Sequence, residues 1–196
     1  MPTQEEFEEK VKRFRVIEDM RSEFYNSALQ LLNQGHEIEA YILILATWNF
    51  AHYCRILCPE HGHRDIGESL NEFKCAIREV NPIFERLKRN KKFKDADFED
   101  PQLCKDIKKI YEKLKEVVIV KQTGASKIMH LKNPYLFVMW DRKIREMYEI
   151  GDEANPEDYI SFLKKIKRKF ENITWENKGQ TLAKAIDEYN YVESQE

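Results

Sequence analysis

The sequence predicts an all-α fold in a single helical domain over residues 1–196, with a division into two helical lobes as the alternative. Apolar residues recur at three- and four-residue steps in nearly every segment, which is the spacing of one face of an α-helix. The β-branched run VVIV at residues 117–120 has no partner run elsewhere, so it predicts a helix end or a buried extended segment rather than a strand in a sheet. A chain of 196 residues is long enough to bury a sizeable core.

Three helices are predicted in the first half of the chain. Residues Glu5–Leu32 carry one apolar stripe, and Gly35 follows it as the residue typical of a helix end. Residues Ile38–Leu57 are apolar on most faces, which indicates a buried central helix. A third helix, Glu68–Val80, is predicted to stop before Pro82 because proline lacks the backbone N–H that a helix needs.

The second half predicts five more helices, each with a start signal or an apolar stripe. Asp100, followed by Pro101, predicts the N-cap of a helix that runs to Val117. Thr123 is the predicted cap of a helix ending at Lys132, and Asp141 is the predicted cap of one ending at Gly151. The fourth of these helices starts at Asn155-Pro156. The last carries an apolar face formed by Leu182, Ala185, Ile186 and Tyr189.

Composition excludes several classes of protein. Charged residues make up 35% of the chain, a content typical of heat-adapted proteins, yet the net charge is only −2. Nucleic-acid binding would therefore need a local basic patch. No apolar run reaches the roughly 18 residues of a membrane span. The four cysteines do not have the spacing of a disulfide-rich protein, so we expect a reducing, cytoplasmic setting. The sequence contains no nucleotide-binding motif, and we therefore expect no cofactor.

The stretch from Val117 to Met147 carries the most distinctive chemistry. Between Lys121 and Arg145 it holds six Lys or Arg residues and a single acid, Asp141, which directly follows the apolar run VMW. A lone carboxylate among cations is suited to a surface that binds a phosphate backbone.

This stretch resembles the helix-hairpin-helix DNA glycosylase family, which includes endonuclease III. Ala125 and Asp141 stand sixteen residues apart, as do an alanine and the catalytic aspartate of that family. Val138 to Trp140 form the apolar run before the aspartate, and Ile144 matches the apolar residue after it. The segment YILILATWNF at residues 41–50 is similar to the early apolar helix of the family.

The resemblance implies a DNA-binding protein in which Asp141 stabilises a cationic sugar or activates a water. It implies a base pocket that includes Trp140 and Asn49. The residues expected to contact DNA are Lys121, Thr123, Gly124, Lys127, Lys132, Arg142 and Arg145. The alternative is a helical interaction module without catalysis, in which Asp141 only caps a helix and the cations keep the surface solvated.

The sequence departs from the family pattern at four points. Ile119 and Lys121 stand where the family hairpin has two glycines, and Thr123 stands where bifunctional members have a lysine that forms a Schiff base. A monofunctional enzyme without lyase activity is therefore expected. No cysteine follows Asp141 to match the family iron–sulfur cluster, and Asn49 is the nearest substitute for a glutamine of the early helix.

Two further clusters each allow a functional and a structural interpretation. Four residues with side chains that bind zinc lie within ten positions: Cys54, Cys58, His61 and His63. Zinc sites generally bridge two separate elements, so we expect no metal here, and a metal-stabilised structural protein remains the alternative. A run of five cations is interpreted as the outer face of an amphipathic helix, with a second phosphate contact as the alternative: Lys164, Lys165, Lys167, Arg168 and Lys169.

Overall fold

Helices make up the secondary structure throughout the part of the chain that is described, and no strand is found there, as predicted. A computed structural model describes residues 1–17, 19–50, 52–53, 65–88, 92–151, 153–176 and 179–196. The helices of these residues are α1 (Gln4–Ile17), α2 (Asp19–Asn33), α3 (Glu37–Trp48), α4 (Ile66–Lys88), α5 (Pro101–Glu116), α6 (Lys121–Lys132), α7 (Arg142–Met147), α8 (Pro156–Lys169) and α9 (Leu182–Glu193).

The first predicted helix, Glu5–Leu32, is two helices that pack against different neighbours. Helix α1 buries Phe7, Val11 and Phe14 and packs against α9, whereas α2 packs against α3. The apolar residues at the junction, among them Val16 and Met20, are exposed instead of continuing the stripe. Apolar periodicity predicted the buried face of α1 correctly. In α2 it was right for Ala28 and wrong for Met20 and Phe24, which are exposed, and it missed the buried Tyr25.

Helix α4 corrects the predicted stop before Pro82. The helix runs unbroken from Ile66 to Lys88 with Pro82 inside it. An internal proline costs about 3 kcal/mol because one backbone hydrogen bond is lost and the ring crowds the preceding turn. The buried stripe continues on both sides of the proline, with Ile77, Val80 and Phe84 all in the core. Burial of that stripe outweighs the local cost.

Helices α6 and α9 are the most completely buried of the described helices. The sequence analysis expected the buried central helix at Ile38–Leu57 instead. Every residue from Gly124 to Leu131 in α6 is buried, and so is every residue from Ala183 to Asn190 in α9. Gly124 explains how α6 comes so close to α3, since a Cβ there would lie 2.7 Å from Leu45 Cδ2.

The caps of α5, α7 and α8 are as predicted. Asp100 accepts a hydrogen bond from the backbone N–H of Gln102, and Asn155 forms a reciprocal capping box with Asp158. Thr123 is not a cap, because α6 already begins at Lys121. Helix α7 ends at Met147, short of the predicted Gly151. No helix in the described residues is both long and apolar enough to span a membrane.

Candidate active site

Asp141 lies at the start of α7, where its side chain and backbone are both held in place. Its Oδ1 accepts a hydrogen bond from the backbone N–H of Ile144 at 2.9 Å, and its backbone is extended. Ser126 of α6 is hydrogen-bonded to both backbone polar groups of Trp140, the residue before Asp141. The carboxylate therefore has a fixed position, and it is only half-buried.

A tight turn connects α5 to α6 and positions Ser126. The backbone N–H groups of Val120 and Lys121 both donate to the carbonyl of Val117 at 3.0 Å. Lys121 has a φ of +56°, in the left-handed region that favours glycine. This is one of the two positions at which the resembling family has a glycine. A lysine thus takes a backbone conformation here that glycine adopts more readily.

A cavity of about 50 Å³ adjoins Asp141. Two further charged side chains line it, Lys127 from α6 and Asp187 from α9. The remaining walls are apolar or aromatic and come from five separate segments: Phe14, Trp48, Met139, Trp140, Ile144 and Tyr191. A half-buried carboxylate at an aromatic cavity that also holds a buried lysine and a second carboxylate is the main chemical feature of the described residues.

Lys127 and Asp187 belong to a network of buried charges behind that cavity. The Nζ of Lys127 donates to the carbonyl of Trp48. Asp187 accepts from Lys184 Nζ at 3.1 Å, and Glu188 lies 3.2 Å from the same ammonium. Burial raises the pKa of Asp187 to about 6, although the positive charge of Lys184 opposes that shift.

The ammonium of Lys184 also lies within an aromatic cage. Its Nζ is 4.8 Å from the ring centroid of Phe14, 5.1 Å from that of Tyr25 and 4.5 Å from that of Trp48. Cation–π attraction offsets part of the cost of burying this charge. Lys184 also lines a second, larger cleft of about 1,250 Å³, together with Tyr25 and Glu188. Of the cage residues, Phe14 and Trp48 line the small cavity at Asp141, whereas Tyr25 lines this cleft.

The predicted DNA-binding cations do not form one exposed surface. Arg142 is exposed and pairs with Glu146 at 2.8 Å, while Lys121 and Thr123 are half-buried. Three cations require a correction. Lys127 and Arg145 are buried, and Lys132 forms an ion pair with Glu37. The helical repeat turns these three side chains inward, which the charge count along the sequence did not take into account.

Gly124 and Asn49 have structural roles in this arrangement. Gly124 is buried against α3 and does not reach the surface as a phosphate-binding position would. Asn49 Nδ2 donates to the carbonyl of Val120 at 3.4 Å, and His52 Nε2 donates to that of Val118 at 2.8 Å. The chain after α3 therefore supports the turn between α5 and α6.

Trp140 is a core residue. Its ring is fully buried, with T-shaped packing against Tyr111 and Tyr159. Its indole N–H donates to the carbonyl of Gln122 at 3.2 Å. Trp140 lines the cavity beside Asp141 but presents no exposed face on which a base stacks, so its part in a base pocket stays a prediction.

The two other predicted clusters have different outcomes. Cys54, Cys58, His61 and His63 lie outside the described residues, so the zinc alternative stays a prediction. Among the described residues, no group of His, Cys, Asp or Glu is arranged to hold a metal ion.

In the basic run of α8, Lys164 pairs with Glu99 and Lys165 donates to the carbonyl of Tyr148. Burial lowers the pKa of Lys169, whose ammonium lies over aromatic rings. That helix face is therefore partly used for internal contacts.

Sequence reasoning missed Ser126, Trp48 and Asp187 at this site. Ser126 directly follows Ala125, the alanine on which the resemblance was based. That position in the sequence could have indicated that Ser126 lies near the residue before Asp141. Asp187 had no such signal, because its spacing from Lys184 is that of an ordinary ion pair on a helix surface.

Comparison with protein-family models, with curated proteins and with solved structures finds no match for this chain.

Proposed function

We propose that the protein binds DNA through the α5–α6 turn and hydrolyses the bond between a base and its deoxyribose at Asp141. The observation that carries this proposal is the position of Asp141, capped onto α7 and open to an aromatic cavity that also contains Lys127 and Asp187. A capping carboxylate keeps its second oxygen for chemistry, so the two roles are compatible.

In this reaction Asp141 stabilises positive charge on the sugar and activates the attacking water. One water adds to C1′ of the sugar and the C1′–N bond breaks. The products are the free base and an abasic strand. Because the cavity is much smaller than the roughly 300–1,000 Å³ of ordinary ligand pockets, a base extruded from the duplex enters only if the surrounding aromatic side chains move.

The turn between α5 and α6 supports binding to the DNA backbone. Lys121 adopts the backbone geometry of a glycine there, and α6 begins without a side-chain cap on its first N–H groups. Uncapped N–H groups at a helix start attract phosphate. The position of Thr123, where lyase members have lysine, favours a monofunctional glycosylase.

The test of catalysis compares wild type with Asp141→Asn on a panel of damaged duplexes. Asparagine caps a helix about as well as aspartate but cannot act as a base. We expect wild type to release a base and to leave an intact abasic strand until alkali is added. The Asn variant should bind the same duplexes and release no base. Wild type that processes no lesion would overturn the enzymatic part of the proposal.

The test of DNA binding uses the two predicted cations that reach the surface. Lys121→Glu with Arg142→Glu should weaken binding to all duplex sequences alike and reduce its dependence on salt. Lys105→Glu with Lys108→Glu is the matched control, because it changes the net charge equally on a different part of α5, where Lys108 pairs with Glu157 of α8 at 2.9 Å. Equal weakening by the control would show that only net charge matters.

A second candidate, a non-catalytic interaction module, is favoured by a different observation. Exposed apolar side chains gather at the α1–α2 junction: Val16, Ile17, Met20 and Phe24. Apolar groups exposed together mark protein interaction sites. If no DNA binding is detected at low salt and wild type self-associates in a way that Met20→Glu abolishes, this candidate takes precedence.

A further inference from the structure

The cavity beside Asp141 has the size and the lining of a water site. Its volume of about 50 Å³ exceeds the roughly 10–15 Å³ that one water needs. Two carboxylates and an ammonium line it, from Asp141, Asp187 and Lys127. Such groups supply the two to four polar partners that an internal water requires.

Trp48 gives an independent reason to expect a polar molecule near this position. It lines the same cavity, and its indole N–H is buried without an acceptor among the described residues. A buried donor that makes no hydrogen bond is costly, and native proteins rarely leave one unsatisfied. A water in the cavity would accept that hydrogen bond.

We propose that Asp187 and Asp141 together hold the water that attacks the sugar, with the indole N–H of Trp48 as its third partner; this inference rests on the proposed function. The water oxygen forms a bond to C1′ as the C1′–N bond breaks. The electron pair of the broken bond leaves with the base, which takes up a proton from solvent. One proton of the water passes to Asp187, which is a catalytic residue because it contacts the reacting water. Asp141 orients the same water and stabilises the positive charge on the sugar.

The surroundings of Asp187 suit this role. Lys184 Nζ lies 3.1 Å from Oδ2 of Asp187 and fixes the carboxylate, which also lines the cavity. Charged groups face Asp187 from three elements: Lys184 and Glu188 of α9, Lys127 of α6, and Asp141 at the start of α7 across the cavity. Burial raises its pKa to about 6, so it accepts a proton more readily than an ordinary aspartate.

Glu188 provides a matched control within the same ion cluster. Both carboxylates are buried, and both contact the ammonium of Lys184, at 3.1 and 3.2 Å. Asp187 lines the small cavity, whereas Glu188 lines the larger cleft and accepts a hydrogen bond from Gln180. Glu188→Gln and Asp187→Asn therefore remove the same charge from the cluster, and only the second changes the lining of the small cavity.

The kinetic experiment measures base release by wild type, Asp187→Asn and Glu188→Gln, with circular dichroism to verify folding. We expect Asp187→Asn to lose about 10²- to 10⁴-fold in rate, the usual contribution of a positioned base. Glu188→Gln should stay close to wild type. The wild-type rate should also rise with pH around 6, and Asp187→Asn should lose that rise. Equal losses in both variants, or no loss in Asp187→Asn, would overturn the assignment.

A crystal structure of the full chain, at a resolution that shows ordered waters, tests the site without reference to activity. We expect a water within hydrogen-bond distance of Asp187, Asp141 and Trp48 Nε1. A dry cavity, or a water away from Asp187, contradicts the inference. Wild type that releases no base overturns both the proposed function and this role of Asp187, whereas an active wild type with an unaffected Asp187→Asn overturns only the role of Asp187.

Discussion

The short helix α7 and the buried helix α9 each contribute one carboxylate to the same cavity, and they hold it by different means. Asp141 of α7 is half-buried and bonded to the backbone N–H of Ile144. Asp187 of α9 is buried and bonded to the ammonium of Lys184. The first arrangement is local and uses the start of a helix. The second depends on tertiary packing, because the charges on α9 are buried only where other helices cover them.

This difference predicts the largest stability effect for a substitution in the α9 cluster. Lys184→Met keeps most of the alkyl side chain but leaves Asp187 and Glu188 buried without their counter-ion. We expect a loss of about 3–5 kcal/mol in the free energy of unfolding, measured by urea denaturation at neutral pH. Lys108→Met, which breaks the exposed pair with Glu157, should cost at most about 1 kcal/mol. Similar losses in both variants would remove the contrast between buried and exposed charges.

A second prediction uses the pH dependence of stability to isolate Asp187. Its pKa is raised from 3.8 to about 6, so its contribution is present below pH 3.8 and is lost as the pH rises through 6. Burial lowers the pKa of His130 to about 3, so the contribution of His130 is lost as the pH falls below 6.5. The two effects oppose each other in wild type.

Asp187→Asn removes only the first of these effects. The stability of wild type relative to this variant should therefore increase by about 2 kcal/mol as the pH falls from about 6 to 4. Urea denaturation of both proteins over a pH series measures the difference. A difference that is constant over this range would mean that Asp187 titrates as an ordinary aspartate.

Local signals explain what the sequence predicted well. The cap at Asp141 and the capping box of Asn155 follow from residues within one helical turn, and both are present. The periodicity of apolar residues likewise predicted an all-α fold. These features depend on neighbours in sequence, so a single chain without relatives is enough to find them.

Features set by tertiary packing were not accessible in the same way. The inward direction of Lys127 and Arg145 depends on which helices cover α6 and α7. Asp187 lies more than forty residues beyond Asp141 in the chain, yet both line one cavity. Spacing along the sequence contains no information about that proximity. The exposed basic patch was overestimated for the same reason.

A third prediction concerns the close approach of α6 to α3, which encloses this interior. Gly124→Ala places a Cβ 2.7 Å from Leu45 Cδ2 and 3.1 Å from Val120 Cγ1, and both neighbours are themselves buried. Overpacking of this kind lowers the free energy of unfolding by about 1–3 kcal/mol. The higher helix propensity of alanine raises it by about 1 kcal/mol. We expect a net loss of up to about 2 kcal/mol.

Gly151→Ala is the control for that substitution, because a Cβ there meets no atom within 4 Å. Its effect should be close to zero or slightly stabilising, since alanine restricts the unfolded chain. Thermal melts of both variants provide the comparison. If Gly124→Ala is as stable as Gly151→Ala, then Leu45 is able to move and the packing at α6 is looser than these distances indicate.

The smallest effects on stability are expected in α7, because the interactions there are one cap hydrogen bond at Asp141 and an exposed ion pair. Asp141→Ala removes the hydrogen bond to Ile144 and should cost about 1 kcal/mol, whereas Asp141→Asn keeps an accepting oxygen and should change stability very little. Arg142→Ala breaks the exposed pair with Glu146, which should cost about 0.3–0.5 kcal/mol. Urea denaturation resolves the first of these values and sets an upper limit on the other two.

A loss in Asp141→Asn as large as that in Asp141→Ala would mean that the charge of Asp141, through Lys127 or another cation, stabilises the fold. In that case the two carboxylates of the cavity would be held by the same means, and the contrast between α7 and α9 would no longer apply.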